Sequence, residues 1–185
     1  MIEIITERFK NKNEKITFVD LGTGSGAIGI ALALLNPKWN GLATDIDKDA
    51  IEIASRNFIK NTNQSNLKFY LGNWWNPLEN FKGEIDLAVA NPPYIPQANY
   101  KELPKEVKNF EPRNALLGGV DGLEHIKEIV RYAPSYLKEK GFLLIENHFD
   151  QGARVKQLFL ENKFTSVKVL KDLSGIGRFT IGRYK

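Results

Sequence analysis

The fold of this chain is decided by a glycine-rich turn, Asp20-Leu21-Gly22-Thr23-Gly24-Ser25-Gly26. A short apolar run over residues 16–21 leads into the turn and predicts a buried strand. A second apolar run over residues 26–35 follows it and predicts a helix, which ends at Asn36-Pro37. Glycines let a backbone turn sharply and approach a ligand closely, and a helix N-terminus offers free N–H groups to negative charge. The sequence therefore predicts a strand–turn–helix unit that can hold a ligand.

Strand-like and helix-like stretches alternate on either side of this turn. Ile2, Ile5 and Phe9 recur at helical spacing and predict a short opening helix. Further strands are predicted over 42–44, 67–71, 85–90, 141–146, 167–170 and 179–184, and further helices over 48–60, 122–137 and 150–161. The last two strands have no helix between them, which predicts an antiparallel hairpin. This order predicts one α/β domain over residues 1–185, Rossmann-like, with a mostly parallel seven-stranded sheet and helices on both faces.

Two details of this pattern are specific enough to be tested residue by residue. Asp47 is expected to cap the helix over 48–60, and Ile51, Ala54, Phe58 and Ile59 are expected to face the core from it. Residues 91–119, after the fourth strand, hold five of the eight prolines. This segment is therefore expected to be irregular. Long loops in compact domains are usually functional, and open α/β sheets bind ligands beyond the carboxyl ends of their strands.

The glycine turn alone is compatible with two kinds of cofactor. Residues 24–29 satisfy the G-x-G-x-x-G pattern of dinucleotide sites, and Asp45 follows about 20 residues later. In either case Asp45 could accept hydrogen bonds from ribose hydroxyls. Asp20 favours S-adenosylmethionine, because a carboxylate suits an ammonium and a sulfonium group and repels a pyrophosphate. A turn that serves only strand–helix packing is the third interpretation.

A tetrapeptide, Asn91-Pro92-Pro93-Tyr94, follows the fourth predicted strand directly. Its prolines fix φ and lack N–H groups, which leaves a stiff segment of carbonyl acceptors. The carbonyls of the Asn91 side chain and of Pro92 could accept both protons of one NH₂ group, and Tyr94 could stack on a planar target. The tetrapeptide therefore predicts methylation of a planar amide or amino nitrogen, with a purely structural turn as the alternative.

These motifs resemble those of the release-factor glutamine N5-methyltransferases, also called the HemK or PrmC family. The resemblance covers almost the whole chain and includes residues 110–123, which are similar to a family stretch that closes over the site, and residues 172–179 near the end. It implies a class I methyltransferase fold. It also implies methyl transfer from S-adenosyl-L-methionine to the side-chain amide of a glutamine in the Gly-Gly-Gln motif of peptide chain release factors, with S-adenosyl-L-homocysteine as the product.

The resemblance also implies roles for individual residues. The catalytic residues would be Asn91, Pro92 and Tyr94. The methyl donor would be held by Asp20, Gly22, Thr23, Gly24, Gly26, Asp45, Ile46, Asn73, Trp74 and Asn91. The substrate would be held by Asn91, Pro92, Pro93, Tyr94 and Glu111. Asn73 departs from the family, which commonly has an aspartate facing the adenine amino group there, so a lower donor affinity is expected, with Trp74 covering the adenine.

A second departure is the short stretch before residue 16, where family members carry an N-terminal helical domain that helps to dock the release factor. We expect the catalytic domain alone, either as a truncated chain or as a naturally short protein. Two other functions fit the same motifs. One is an adenine N6-methyltransferase acting on DNA or RNA, against which the lack of a basic tract counts. The other is a donor-binding subunit without activity of its own.

Composition narrows the remaining classes of function. The sequence has no cysteine, and its two histidines, His125 and His148, are far apart, so no metal site is expected. His148 is expected to be a structural or surface residue. No apolar run approaches the roughly 20 residues that cross a bilayer, so a cytoplasmic protein without a membrane partner is expected. The net charge of +4 fits a lysine-rich surface as well as an anionic partner such as RNA, so nucleic acid is expected only indirectly.

Overall fold

The structure, a computed structural model, describes residues 1–9, 15–104, 108 and 112–185. Within these residues the strands are β1 (Thr17–Leu21), β2 (Asn40–Asp45), β3 (Leu67–Leu71), β4 (Ile85–Ala90), β5 (Leu137–Glu146), β6 (Phe164–Lys171) and β7 (Gly177–Tyr184). The helices are α1 (Ile2–Phe9), α2 (Ala27–Leu35), α3 (Lys48–Asn61), α4 (Arg113–Leu116), α5 (Glu124–Tyr136) and α6 (Gly152–Glu161). None of the helices in these ranges is long and apolar enough to cross a membrane.

The strands form one sheet, which over the described residues has seven strands in the order β3-β2-β1-β4-β5-β7-β6. The first five strands in this order are parallel, and β7 lies antiparallel to both β5 and β6. The predicted α/β architecture and the predicted C-terminal hairpin are therefore confirmed. Both ends of β3 and β4 coincide with the predicted ones, whereas β2 begins at Asn40 and β5 begins at Leu137, immediately after α5.

The central strand β1 is buried on both faces. Phe18 packs in the core on one side of the sheet and Val19 in the core on the other, because successive side chains of a strand alternate. Each such burial stabilises the fold by roughly 1.5–3 kcal/mol. By the same alternation Asp20 points to the face of Phe18, toward α2. Carboxylates are rarely fully buried in proteins, so the burial of Asp20 calls for an explanation from the site around it.

Helix α3 has the predicted cap and most of the predicted buried face, but one apolar side chain points to solvent. Asp47 caps the helix as predicted, since its Oδ1 accepts a hydrogen bond of 2.8 Å from the N–H of Asp49. Ala54 and Phe58 are buried against the sheet, but Ile59 is 71% exposed. The prediction for Ile59 was wrong because successive residues of a helix are rotated by about 100°, which turns Ile59 away from the face that Phe58 shares with the sheet.

The connection after β4 is partly regular, although the sequence predicts an irregular segment. Residues Gln97–Glu102 form a 3₁₀ helix, and α4 follows at Arg113–Leu116. Ile95 and Leu117 form a parallel bridge that closes the segment on itself. The connection therefore returns to the edge of the sheet from which it leaves.

Candidate active site

The predicted site residues meet at one edge because three parallel strands end together. Leu21, the last residue of β1, pairs with Thr44 of β2 and with Ala90 of β4. The residues that follow these ends, Gly22 and Asn91, therefore lie at the carboxyl edge of the sheet. The structure thus brings the glycine turn, the end of β2 and the tetrapeptide together, as the sequence predicts.

The glycine turn is anchored to the end of β2. The N–H groups of Gly22 and Thr23 both donate to the carbonyl of Thr44 at 2.9 Å. Gly22 has φ +69°, and a Cβ there would lie 2.7 Å from the Trp74 ring, so both the conformation and the space require glycine. The turn is therefore a rigid cradle between β1 and α2.

Asp20 lies beneath this cradle and is 1% exposed. Its Oδ2 accepts hydrogen bonds from Thr23 Oγ1 at 2.7 Å and from the N–H of Gly29 at 2.9 Å. Its Oδ1 is buried and has no partner among the described residues. Burial raises the pKa of Asp20 to about 6, against the smaller opposing effect of these hydrogen bonds. A buried carboxylate oxygen without a partner is suited to a cationic group of a ligand, such as an ammonium.

Asp45 lies at the end of β2 and contacts the turn from the other side. Its Oδ2 accepts a hydrogen bond from the N–H of Gly24, and its Oδ1 accepts one from the N–H of Asp47. A carboxylate has about four acceptor positions, so each oxygen can accept a further hydroxyl proton. The neighbouring Ile46 is 68% exposed, so its side chain is open to a ligand that binds at this edge.

Asn73 and Trp74, directly after β3, complete the expected donor side. Asn73 Nδ2 donates to Oε1 of Glu128 at 3.1 Å, which engages the amide nitrogen and leaves Oδ1 as an acceptor. Trp74 is 9% exposed, and its ring lies 5.6 Å from that of His125. The Trp74 indole N–H is buried without a partner among the described residues. The assignment of Asn73 and Trp74 to the adenine stays a prediction.

The residues of the tetrapeptide differ in their exposure to solvent. Asn91 is exposed, whereas Pro92 is buried. The Tyr94 hydroxyl donates to Oε1 of Glu146 at 3.4 Å, and burial together with the nearby Glu146 charge raises the pKa of Tyr94. Burial also raises the pKa of Glu146. Asn91 is thus open to an incoming target while its neighbours are packed.

A second segment supports the tetrapeptide. Ile95 N–H donates to Leu116 O at 3.0 Å, and Gly118 N–H donates to Ile95 O at 2.9 Å. A Cβ on Gly118 would lie 2.7 Å from the Pro93 carbonyl oxygen, so only glycine fits this contact. The segment around residues 116–122 is therefore packed directly on the tetrapeptide. Glu111, assigned to the substrate from the sequence, lies outside the described residues.

Sequence reasoning missed the buried amide of Gln151. Its Nε2 donates to the carbonyls of Tyr94 and Gly122 at 2.9 and 3.2 Å, and its Oε1 accepts the N–H of His148 at 2.9 Å. The signal in the sequence was a polar residue at the start of a helix, which ordinarily indicates a cap. Nothing in the local sequence connects Gln151 with Tyr94.

His148 and the adjacent Asn147 both contact other side chains in the structure. His148 Nδ1 lies 2.6 Å from Oδ1 of Asp150, and its ring lies 6.1 Å from that of Tyr94. The adjacent Asn147 is fully buried and accepts a hydrogen bond from Thr180 Oγ1 at 2.8 Å. In the described part of the chain, no group of three or more histidine or acidic side chains could hold a metal ion.

The sequence of this chain is similar to those of known methyltransferases. Residues 2–107 match the model of the family described as the methyltransferase small domain. The release factor glutamine methyltransferase of Prochlorococcus marinus is 41% identical over 162 residues, which are 88% of this chain and 55% of that protein. The protein of the same name from Synechocystis is 40% identical over 167 residues, which are 90% of this chain and 56% of that protein. The chain therefore spans little more than half the length of these relatives.

The fold has counterparts among solved structures. The ribosomal protein L11 methylase of Lactobacillus delbrueckii superposes with a TM-score of 0.65 over 98% of this chain and 74% of that one. At 21% identity this likeness shows the fold, which is that of the class I methyltransferases. A second solved structure with this fold, at a TM-score of 0.61 and 15% identity, is named a SAM dependent methyltransferase from Aquifex aeolicus. Because the family model covers residues 2–107 of 185, the chain belongs to the methyltransferase small domain family.

Proposed function

We propose that this chain transfers a methyl group from S-adenosylmethionine to the side-chain amide nitrogen of a glutamine in a peptide chain release factor. One observation carries the proposal. An exposed Asn91, backed by a buried proline, stands at the same sheet edge as a glycine cradle, and beneath that cradle the buried Oδ1 of Asp20 has no partner among the described residues. The names and identities of the relatives at about 40% support glutamine as the target.

The donor would be held by residues that have free acceptor capacity. Asp20 Oδ1 would receive the donor's ammonium, and Asp45 would receive ribose hydroxyls while keeping its bond to Gly24. Asn73 Oδ1 would accept a proton of the adenine amino group, Trp74 would cover the ring, and the exposed Ile46 would lie against the donor as well. When bound, the donor supplies a methyl group on a positively charged sulfur. The remaining chemistry belongs to the tetrapeptide.

The tetrapeptide must make a poor nucleophile react. The lone pair of an amide nitrogen is delocalised into the carbonyl, the same resonance that gives a peptide bond its rotation barrier of about 18–20 kcal/mol. Carbonyl oxygens of Asn91 and Pro92 would accept the two N–H protons and favour the positive charge that develops on the nitrogen as it attacks. The nitrogen would then gain the methyl group as the bond between that carbon and the sulfur breaks, which leaves the neutral thioether S-adenosylhomocysteine, and it would give up one N–H proton to solvent. Positioning of this kind contributes up to about 7–11 kcal/mol.

The release factor as partner is also part of the proposal. The 116–122 segment packs against Pro93 and Ile95, while Asn91 stays exposed and would be open to an extended glutamine side chain. The chain matches only a little over half of each relative, so recruitment of the whole release factor has to be measured separately from the methyl transfer.

The test uses the purified chain with radiolabelled S-adenosylmethionine and three acceptors. These are a release factor with its Gly-Gly-Gln motif, a short peptide with the same motif, and adenine-containing DNA and RNA. We expect label on the glutamine of the protein or the peptide and its loss in Asn91→Ala. Asn99→Ala is the matched control, because Asn99 is an exposed asparagine of the same connection.

Each other outcome has a distinct meaning. Labelling that survives Asn91→Ala unchanged would contradict the role of the tetrapeptide. Methyladenine formed from an oligonucleotide would favour an adenine methyltransferase. Calorimetric binding of the donor without turnover on any acceptor would favour a donor-binding subunit.

A further inference from the structure

The side chain of Gln151 joins three segments of the candidate site. It is 3% exposed and lies at the start of α6, in the turn that follows β5. One NH₂ group donates to both the Tyr94 carbonyl and the Gly122 carbonyl, while the amide oxygen accepts the His148 N–H. All polar atoms of this buried amide are therefore used, as burial of an amide requires.

The tetrapeptide needs such a partner because of its own chemistry. Pro92 and Pro93 have no N–H, so these residues cannot be fixed by donating to a neighbouring strand. Among the described residues, Gln151 provides the one side-chain hydrogen bond to the backbone of residues 92–94. The bond reaches the Tyr94 carbonyl across 57 positions of the sequence. Gln151 therefore holds the end of the tetrapeptide from a side chain, in addition to the backbone bonds of Ile95.

The second acceptor explains why an amide is required. Gly122 belongs to the segment that packs on the tetrapeptide, and a Cβ there would lie 2.6 Å from Gln151 Nε2. A glutamate of the same size would keep the bond from His148 but would turn a carboxylate oxygen toward two carbonyl oxygens. A leucine would fill the space and leave both carbonyls without this donor.

We propose that Gln151 is a positioning residue, which holds the Tyr94 and Gly122 carbonyls together and so sets the orientation of the Asn91 and Pro92 acceptors. This inference rests on the proposed function for its catalytic consequence. The Gln151 side chain does not touch the expected donor turn at residues 22–26. Loss of the Gln151 amide should therefore affect the chemical step and leave donor binding intact.

The kinetic test compares Gln151→Glu and Gln151→Leu with Gln157→Glu. Gln157 is a matched control, since it lies on the exposed side of α6 and bonds to Glu161. We expect kcat on the Gly-Gly-Gln peptide to fall by about tenfold or more in both Gln151 variants, as for other loosened catalytic groups. The dissociation constant for S-adenosylhomocysteine should stay within about twofold, because the donor cradle is untouched. An unchanged kcat in the folded Gln151 variants, with an active wild type, overturns the inference.

A second measurement does not require activity. The amide hydrogens of Ile95 and Gly118 bond within the segment that Gln151 supports, and that of Gly22 bonds in the donor cradle. We expect hydrogen exchange at Ile95 and Gly118 to accelerate at least about tenfold in the Gln151 variants, with Gly22 unchanged, as for local opening. Equal protection in wild type and variants overturns the inference. An inactive wild type with accelerated exchange would support the Gln151 contact and contradict the proposed function.

If Gln151→Leu does not fold, Gln151→Glu carries both measurements, because it retains the size of the side chain and the bond from His148. Thermal unfolding of each variant, followed by circular dichroism, identifies which proteins are folded before the rates are compared.

Discussion

The carboxylate of Asp45 accepts a hydrogen bond from the backbone N–H of Gly24, with 2.8 Å between Oδ2 and the nitrogen. This bond joins the end of β2 to the glycine cradle after β1. The residue expected to bind the ribose therefore also holds the loop expected to bind the rest of the donor. Replacement of Asp45 should weaken donor binding through both contacts.

For Asp45→Ala, we expect the affinity for S-adenosylhomocysteine to fall by about 10- to 100-fold, which corresponds to roughly 1.4–2.8 kcal/mol. Asp45→Asn should lose less, because its carbonyl retains one acceptor group. Isothermal titration calorimetry measures both values. Asp49→Ala is the control, since Asp49 is an exposed aspartate in the first turn of α3. Equal affinity in Asp45→Ala and the wild type would contradict the assignment.

The hydrogen bond between Asn73 and Glu128 predicts that a single substitution weakens donor binding and that a double substitution strengthens it. An aspartate at position 73 would bring two carboxylates together where Asn73 Nδ2 and Glu128 Oε1 are now 3.1 Å apart. We expect Asn73→Asp to weaken donor binding and Asn73→Asp/Glu128→Gln to strengthen it, because the glutamine amide can then donate to the aspartate. A double-mutant cycle on donor affinity should show a coupling of about 1 kcal/mol. Additive effects would mean that Glu128 does not orient residue 73.

The buried Asp20 should make stability depend on pH. Its folded-state pKa of about 6 is above the unfolded value of about 3.9, so the folded state binds more protons between these values. The stability associated with the protonated group is present at low pH and is lost as pH rises through about 6, amounting to about 3 kcal/mol for a shift of about two units. Asp20→Asn does not titrate. Urea unfolding at about pH 4.5 and about pH 7.5 should show the variant gaining stability relative to wild type at the higher pH. Parallel pH profiles would contradict this.

Donor binding should follow the ionisation of the same group. A cationic ammonium beside Oδ1 favours the carboxylate, so the affinity for S-adenosylhomocysteine should rise as pH increases through about 6. The increase should disappear in Asp20→Asn. Calorimetry at several pH values, in two buffers of different ionisation enthalpy, also gives the number of protons released. If no proton were released by wild type near pH 6, Asp20 would not be the group that meets the ammonium.

Gly118 should tolerate no side chain. A Cβ at this position would lie 2.6 Å from the Gly122 carbonyl oxygen and 2.7 Å from that of Pro93, and both are backbone atoms. Gly118→Ala should cost roughly 1–3 kcal/mol of unfolding free energy, and it should lower kcat by displacing the tetrapeptide. Gly177→Ala is the control, because its Cβ would meet one valine methyl group at 3.3 Å. Denaturant unfolding and peptide methylation measure the two effects. Wild-type stability in Gly118→Ala would exclude the tight contact.

Much of this fold could be predicted because strong local signals mark its elements. Apolar runs bounded by glycine, proline and asparagine located β3 and β4 at both ends, and the motifs after β1, β2 and β4 predicted which residues would share an edge. Ile59 was predicted on the wrong face, because it is adjacent to the buried Phe58 in sequence but is rotated from it by about 100° around the helix. Gln151 could not be found, because its partners Tyr94 and Gly122 are distant in sequence and its local context indicates only a helix start.

The antiparallel placement of β7 has a practical consequence for handling the protein. Because β7 starts beside the end of β5, with Phe179 opposite Glu146, the chain runs away from the candidate site as it approaches Lys185. Eight residues of strand cover about 26 Å at roughly 3.3 Å each. A fluorophore or an affinity handle attached at Lys185 would thus be held at the far side of the sheet. A protein immobilised through this residue would present the tetrapeptide to the solution and leave it free for a large partner.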